Sequence, residues 1–177
     1  MIKKRVGFVV LTVCCLFSLA GCLTKFEKSM IGEFYVSSLS ISSKKIDVDY
    51  AFDSTYAVMN RSREFSIDVG FDAEYLAAAE TRAMIREIVA KYKNGSNDPD
   101  SVEALLDEVL TELAEGYKIS GHFSNNNGVP IFTPSSGSAS FAQYGLNDFT
   151  YDYNNDTLTI KGIKYGIVSE FVFTKIK

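Results

Sequence analysis

The spacing of apolar residues changes character several times along the chain. Val6 to Leu19 is an apolar run broken only by Gly7, Thr12 and Ser18. Residues 31–71 then read as β structure. Ile46, Val48, Tyr50 and Phe52 alternate with Asp47, Asp49, Ala51 and Asp53, a period of two that wets one face of a strand. Phe65, Ile67, Val69 and Phe71 repeat it, and Tyr56 and Val58 suggest a short strand before a polar turn at Asn60 to Arg63.

Residues 72–115 change to a helical period. Asp72 suits an N-cap and Glu74 the first turn. Tyr75, Leu76, Ala79, Ala83, Ile85, Ile88, Val89 and Tyr92 form one apolar stripe. Lys91 and Lys93 suit the last turn and Gly95 the position after it. Asp98 and Pro99 suit the cap and first position of a second helix. There Val102, Leu105, Leu106, Val109, Leu110 and Leu113 make the stripe, and Gly116 ends it. A short loop between two helices predicts an antiparallel hairpin.

Residues 117–177 return to strands. Tyr117, Ile119 and Phe123 lead to a turn at Asn125-Asn126-Asn127-Gly128. Pro130 confines the next segment, Val129 to Thr133, to an edge strand or loop. Pro134 to Ser140 is a small-residue loop. Phe149, Tyr151 and Tyr153 alternate, Leu158 and Ile160 alternate, and Tyr165 to Ile176 makes a last strand. Strands with segregated helices predict an α+β fold with an antiparallel sheet. Seven or eight short strands also suit a small β-barrel, with the helical hairpin in mid-chain.

The N-terminal run follows Lys3, Lys4 and Arg5 and leads into Leu19-Ala20-Gly21-Cys22. It is too short for a comfortable membrane span, and its basic start and small-residue site fit a processed signal. This stretch resembles the signal of bacterial lipoproteins. The resemblance implies that residues 1–21 are removed and that Cys22 is lipidated. The partner is then the bilayer, and the location the cell envelope. Leu23 is not the aspartate associated with inner-membrane retention in enteric bacteria, which implies the outer membrane where the organism has one. Residues 22–30 are expected to be a tether and residues 31–177 one domain.

On that reading the domain keeps no cysteine, because Cys14 and Cys15 leave with the signal. Without Lys3, Lys4 and Arg5, 15 basic residues stand against 22 acidic, a net charge of −7. Such a balance argues against nucleic acid as partner and leaves membrane attachment to acyl chains.

Candidate chemistry is sparse. His122 is the single histidine, and no serine, cysteine or carboxylate signature surrounds it. No catalytic residue, metal site or cofactor is expected. Asp152-Tyr153-Asn154-Asn155-Asp156 opens like a calcium loop, but Thr157 and Ile163 stand where glycine and glutamate are needed, so a hairpin turn is expected. Asp47, Asp49 and Asp53 share a predicted strand face, which suits solvent better than paired-carboxylate chemistry.

Two surfaces carry binding expectations. Phe149, Tyr151, Tyr153, Phe171 and Phe173 either line a pocket for a small apolar ligand or fill the core. The helix at 99–115 has no Lys or Arg, and Glu103/Asp107 and Glu108/Glu112 are like-charge pairs costing roughly 0.2–0.5 kcal/mol each. These four acids either dock a basic envelope protein or are neutralised by Arg82, Arg86, Lys91 and Lys93. Ile31-Gly32-Glu33-Phe34-Tyr35 resembles the Gly-x-Trp opening of lipocalin-like barrels, with Phe34 for the tryptophan. That resemblance implies a barrel and transfers no ligand. The leading expectation is a non-enzymatic envelope lipoprotein that binds an apolar ligand or an envelope component. A purely structural lipoprotein and a hydrolase with a spatially assembled site are the rivals.

Overall fold

The computed structural model describes residues 23–93 and 99–177. Cys22 and the signal-like stretch, with Gly95 and Asp98, lie outside the described residues. The strands are β1 (Gly32–Ile41), β2 (Lys44–Ile46), β3 (Phe52–Met59), β4 (Glu64–Phe71), β5 (Tyr117–Asn126), β6 (Val129–Pro134), β7 (Leu146–Asp152), β8 (Thr157–Lys164) and β9 (Ile167–Lys175). They form one antiparallel sheet in the order β6-β5-β4-β3-β1-β9-β8-β7, with β2 beside β1. The fold is α+β, and the sheet curls into a nearly closed barrel. The alternation seen in the sequence places Phe34, Phe65, Ile67, Val69, Ile119, Phe123, Leu158, Ile160 and Phe173 inside, each almost fully buried.

The barrel does not zip shut. Its two end strands, β6 and β7, approach one another without a hydrogen-bonded ladder between them. Aromatic rings close this seam instead. Phe149 of β7 lies 5.2 Å from Phe132 of β6 and 4.7 Å from Phe141, measured between ring centroids. Phe141 sits on a 3-10 turn, Phe141–Tyr144, capped by Ser140, whose hydroxyl accepts from the Gln143 amide. Pro130 lies on β6, an end strand as its missing N–H requires. Asn127 and Gly128 both adopt positive φ and make the two-residue turn from β5 to β6.

One open end is stoppered by α1 (Lys25–Met30), in a segment expected to be a tether. That expectation is corrected: Phe26 and Met30 are buried, so residues 25–30 belong to the folded domain. The helix is short but doubly capped. The Thr24 hydroxyl accepts from the Glu27 amide at 3.1 Å, and the Glu27 carboxylate accepts from the Thr24 amide at 2.7 Å. Arg63, at positive φ in the β3–β4 turn, donates to Glu27 through Nε at 2.8 Å. The Phe26 ring meets Tyr151 and Tyr153 edge-on, and Lys175 donates to the Ser29 carbonyl. Two large apolar residues, Phe26 and Met30, are too few to signal a helix in the sequence; only the barrel's open end gives them a place to pack.

The opposite end is covered by α2 (Val48–Ala51), α3 (Ala73–Ala77), α4 (Ala79–Tyr92) and α5 (Pro99–Glu115). Two expectations fail here. The strand through Ile46, Val48, Tyr50 and Phe52 is broken by α2, which Asp47 caps by accepting from the Asp49 amide. Tyr50 is therefore 74% exposed, and Asp47, Asp49 and Asp53 do not share a strand face. The single helix from Asp72 breaks at Ala78, whose extended backbone (ψ 136°) separates α3 from α4. Ala79 and Ala83 are consequently exposed. An alanine run anchors nothing, so the bulky Leu76 and Ile85 decide where each segment packs.

The hairpin itself matches the pattern. Arg82 pairs with Asp107 and Arg86 with Glu103, a reversed order that makes α4 and α5 antiparallel. Leu106, Leu110 and Leu113 are buried with Ile85, Ile88 and Val89. Gly116 ends α5 at φ +70°, where its amide donates to the Glu112 and Leu113 carbonyls.

Glu27 makes the α1 stopper sensitive to acid. Burial alone would raise its carboxyl, but hydrogen bonds from Arg63 and Thr24 outweigh it and hold the group below 4.5. A carboxyl depressed by folding contributes stability above its unfolded value and loses it as pH falls through the folded one. The urea midpoint should therefore drop as pH falls below 4.5, and Glu27→Gln should flatten that drop. Wild type and variant with parallel pH profiles would show that Glu27 is not held this way.

Candidate functional site

Among the described residues, side chains fill the barrel interior almost completely. The space beside Ile119, Ile160, Phe171 and Phe173 amounts to about 10 Å³, at or below what one water needs. Of the five aromatic residues weighed as pocket lining, Phe171 and Phe173 are core, Phe149 closes the seam, and Tyr151 is buried. The Tyr151 hydroxyl lies 2.9 Å from both the Ser29 carbonyl and the Asp156 carboxylate, and donates to one or the other. Tyr153 is 44% exposed beyond the end of β7 and packs on Phe26. The structure thus brings these residues together as core and stopper, around no cavity.

A small cleft does open at the opposite end, between the helical hairpin and the β8–β9 turn. Its volume is about 50 Å³, and Ile88 of α4, Val109 of α5, Tyr117, Tyr144, Tyr165 and Ile167 are among the residues that line it. Tyr117 leads β5 into the barrel wall and meets Tyr144 edge-on at 4.7 Å. Burial, with Glu112 nearby, pushes the Tyr117 phenol well above its ordinary value. One polar pair stands at the rim: Lys164, the last residue of β8, binds Glu112 of α5.

Tyr165 and Gly166 make the tight turn between β8 and β9, both at positive φ, 54° and 80°. A tyrosine is costly in that region. Here its hydroxyl donates to Glu108 at 2.7 Å and lies 3.1 Å from Glu112, so the turn is tied to α5. Those carboxylates, together with partial burial, raise the phenol above its ordinary value. Ile163 and Val168 are cross-strand partners beside this turn, 59% and 41% exposed.

The four acids of α5 fall into place. Glu103 and Asp107 pair with Arg86 and Arg82 of α4, while Glu108 and Glu112 bind Tyr165 and Lys164 of the β8–β9 hairpin. Each therefore has an internal partner, and the absence of basic residues on α5 reflects cations supplied by its neighbours. Nothing in the sequence marks Lys164 and Tyr165 as partners of these acids, because they lie some fifty residues away and only the fold joins them. Asp152 accepts from the Asn154 amide and the Asn155 side chain, so the stretch to Asp156 is a hairpin turn. His122 is exposed on β5 opposite Glu64. Among the described residues, no three His, Cys, Asp or Glu side chains are grouped to hold a metal.

Chemically, the cleft offers apolar walls and an ion pair whose members engage each other. It is suited to holding a small apolar group. Comparison with protein-family models, curated proteins and solved structures finds no match for this chain.

The Tyr165 phenol should stay protonated well past pH 10, the ordinary tyrosine value, followed by NMR of its ring carbons. Glu108→Gln together with Glu112→Gln should bring it back toward 10. Titration at 10 in the unaltered protein would mean that the turn is not tied to α5.

Proposed function

We propose that this chain is a non-enzymatic envelope lipoprotein, acylated at Cys22, whose far end receives an envelope protein. The observation that carries this reading is the placement of the cleft at the end of the barrel opposite Leu23. A chain anchored through the neighbouring cysteine would hold α1 toward the bilayer and turn the cleft away from it. An outer-membrane location follows where the organism has that membrane and sorts by the residue after the cysteine. Among the described residues no helix is long and apolar enough to cross a membrane.

The cleft's size favours a partner's side chain over a free lipid. A site for a ligand of drug size takes roughly 300–1,000 Å³; this one has about 50 Å³. The exposed Ile163 and Val168, with Tyr165, extend its apolar surface outward. Glu112, the carboxylate at the rim, is engaged with Lys164, which gives the hydrolase rival no pair of free carboxylates there.

Two measurements test the proposal. Metabolic labelling with palmitate should mark the protein, and Cys22→Ser should abolish the label; label retained by that variant would contradict acylation at Cys22. A photo-crosslinking side chain at Ile163 should give one discrete envelope-protein adduct in cells, absent when the crosslinker replaces the exposed His122. Equal adducts from both positions, or none from Ile163, would contradict docking at the far end.

A further inference from the structure

The end of the barrel closed by α1 carries a feature that the anchor alone does not require. Leu23 stands one residue after Cys22, and Thr24 is already locked as the cap of α1 by its two bonds with Glu27. Three residues span at most about 11 Å. If Cys22 is acylated, as proposed above, this end cannot swing far from the bilayer surface, and its exposed side chains meet lipid headgroups.

Three of those side chains are basic. Lys25 and Lys28 are exposed on α1, and Arg61 is exposed in the β3–β4 turn. Lys28 and Arg61 border a hollow whose other described walls are Leu23 and Ile31. Among the described residues no carboxylate lies within ion-pair distance of Lys25, Lys28 or Arg61. By contrast, Lys44, Arg82, Arg86, Lys118, Lys161 and Lys164 are all paired. The acids that share this end are mostly occupied. Glu27 holds Arg63, Glu64 accepts from Asn60, and Asp152 is bound within its turn; Glu33 is exposed and offsets part of the charge. The acid-rich elements α3 and α5, which carry Glu74, Glu103, Asp107, Glu108 and Glu112, sit at the opposite end.

We infer that the α1 end is a docking surface for anionic phospholipid headgroups, with Lys25, Lys28 and Arg61 on the phosphates and Leu23 and Ile31 facing the interface. Without residues 1–21, as on the anchored reading, the chain has net charge −7 and is repelled by such a surface as a whole. Lys25, Lys28 and Arg61, which have no carboxylate partner among the described residues, offset that repulsion at one end, and the anchor lies at that end. The consequence is a fixed orientation, barrel upright and cleft outward. Each basic side chain at an anionic leaflet favours the docked orientation roughly fivefold.

The test uses the mature acylated protein in vesicles, with a fluorophore on Ser62→Cys near the docking end or on Tyr50→Cys, exposed on α2 at the other. The quencher is a headgroup-labelled lipid. In phosphatidylcholine–phosphatidylglycerol vesicles the Ser62 label should be quenched several-fold more than in phosphatidylcholine alone, with the Tyr50 label unquenched in both. Replacing Lys25, Lys28 and Arg61 with glutamate should abolish the difference, and high salt should weaken it. A protein that carries no acyl group overturns the anchor reading and this one with it. An acylated, inserted protein whose Ser62 quenching is equal in both vesicles, or unchanged by the triple substitution, overturns the docking surface and leaves the anchor standing.

Discussion

A sheet that curls almost into a barrel leaves two open ends and, here, one unzipped seam. Each opening exposes the apolar lining to water unless another part of the chain covers it, and burying that lining is the main driving force for folding. Most of the departures from a plain strand meander answer this constraint. The α1 helix stoppers one end with Phe26 and Met30. The α4–α5 hairpin covers the other with Ile85, Ile88, Leu106 and Leu110. Phe132, Phe141 and Phe149 fill the seam.

The same constraint explains where polar chemistry remains. The interior is filled by side chains, as small barrels usually are, which leaves nothing there for a ligand. What space survives lies where a cover meets the wall, between rigid elements that do not fit flush. The cleft beside Tyr165 is such a place. Its polar groups hold the cover down: Lys164 and Tyr165 fasten the β8–β9 turn to α5, as Arg63 fastens the β3–β4 turn to α1. The ion pairs between α4 and α5 are surface pairs, worth little individually; they relieve the like-charge repulsion along α5.

Much of this was legible in the sequence. The alternation at Phe65 to Phe71 and at Leu158 to Ile160, the stripes of α4 and α5, the cap at Asp72 and the stop at Gly116 all express local rules that the fold respects. The misreadings have a common cause. Ile46 to Phe52 alternates like a strand, yet the chain must turn there to pass from β2 to β3, and Asp47 supplies a helix cap. Residues 25–30 look like a charged tether because a six-residue helix with two large apolar side chains has no periodicity to read. The aromatic residues of the last third suit core and pocket lining equally in sequence, and only the size of the interior separates the two. The partners of the α5 acids were half visible, since Arg82 and Arg86 follow from the hairpin, whereas Lys164 and Tyr165 depend on how the last two strands return.

The central claim is that the barrel, its two covers and the position of Leu23 form one rigid unit, with the N-terminal stopper as integral as any strand. Amide hydrogen exchange tests this most directly, because a tether and a stopper differ in protection and not in sequence. The Lys28 amide, bonded to the Thr24 carbonyl at 3.0 Å, and the Glu27 amide should exchange as slowly as those of the neighbouring strand β1. Exchange of both at the rate of an unstructured peptide, while β1 stays protected, would contradict the account.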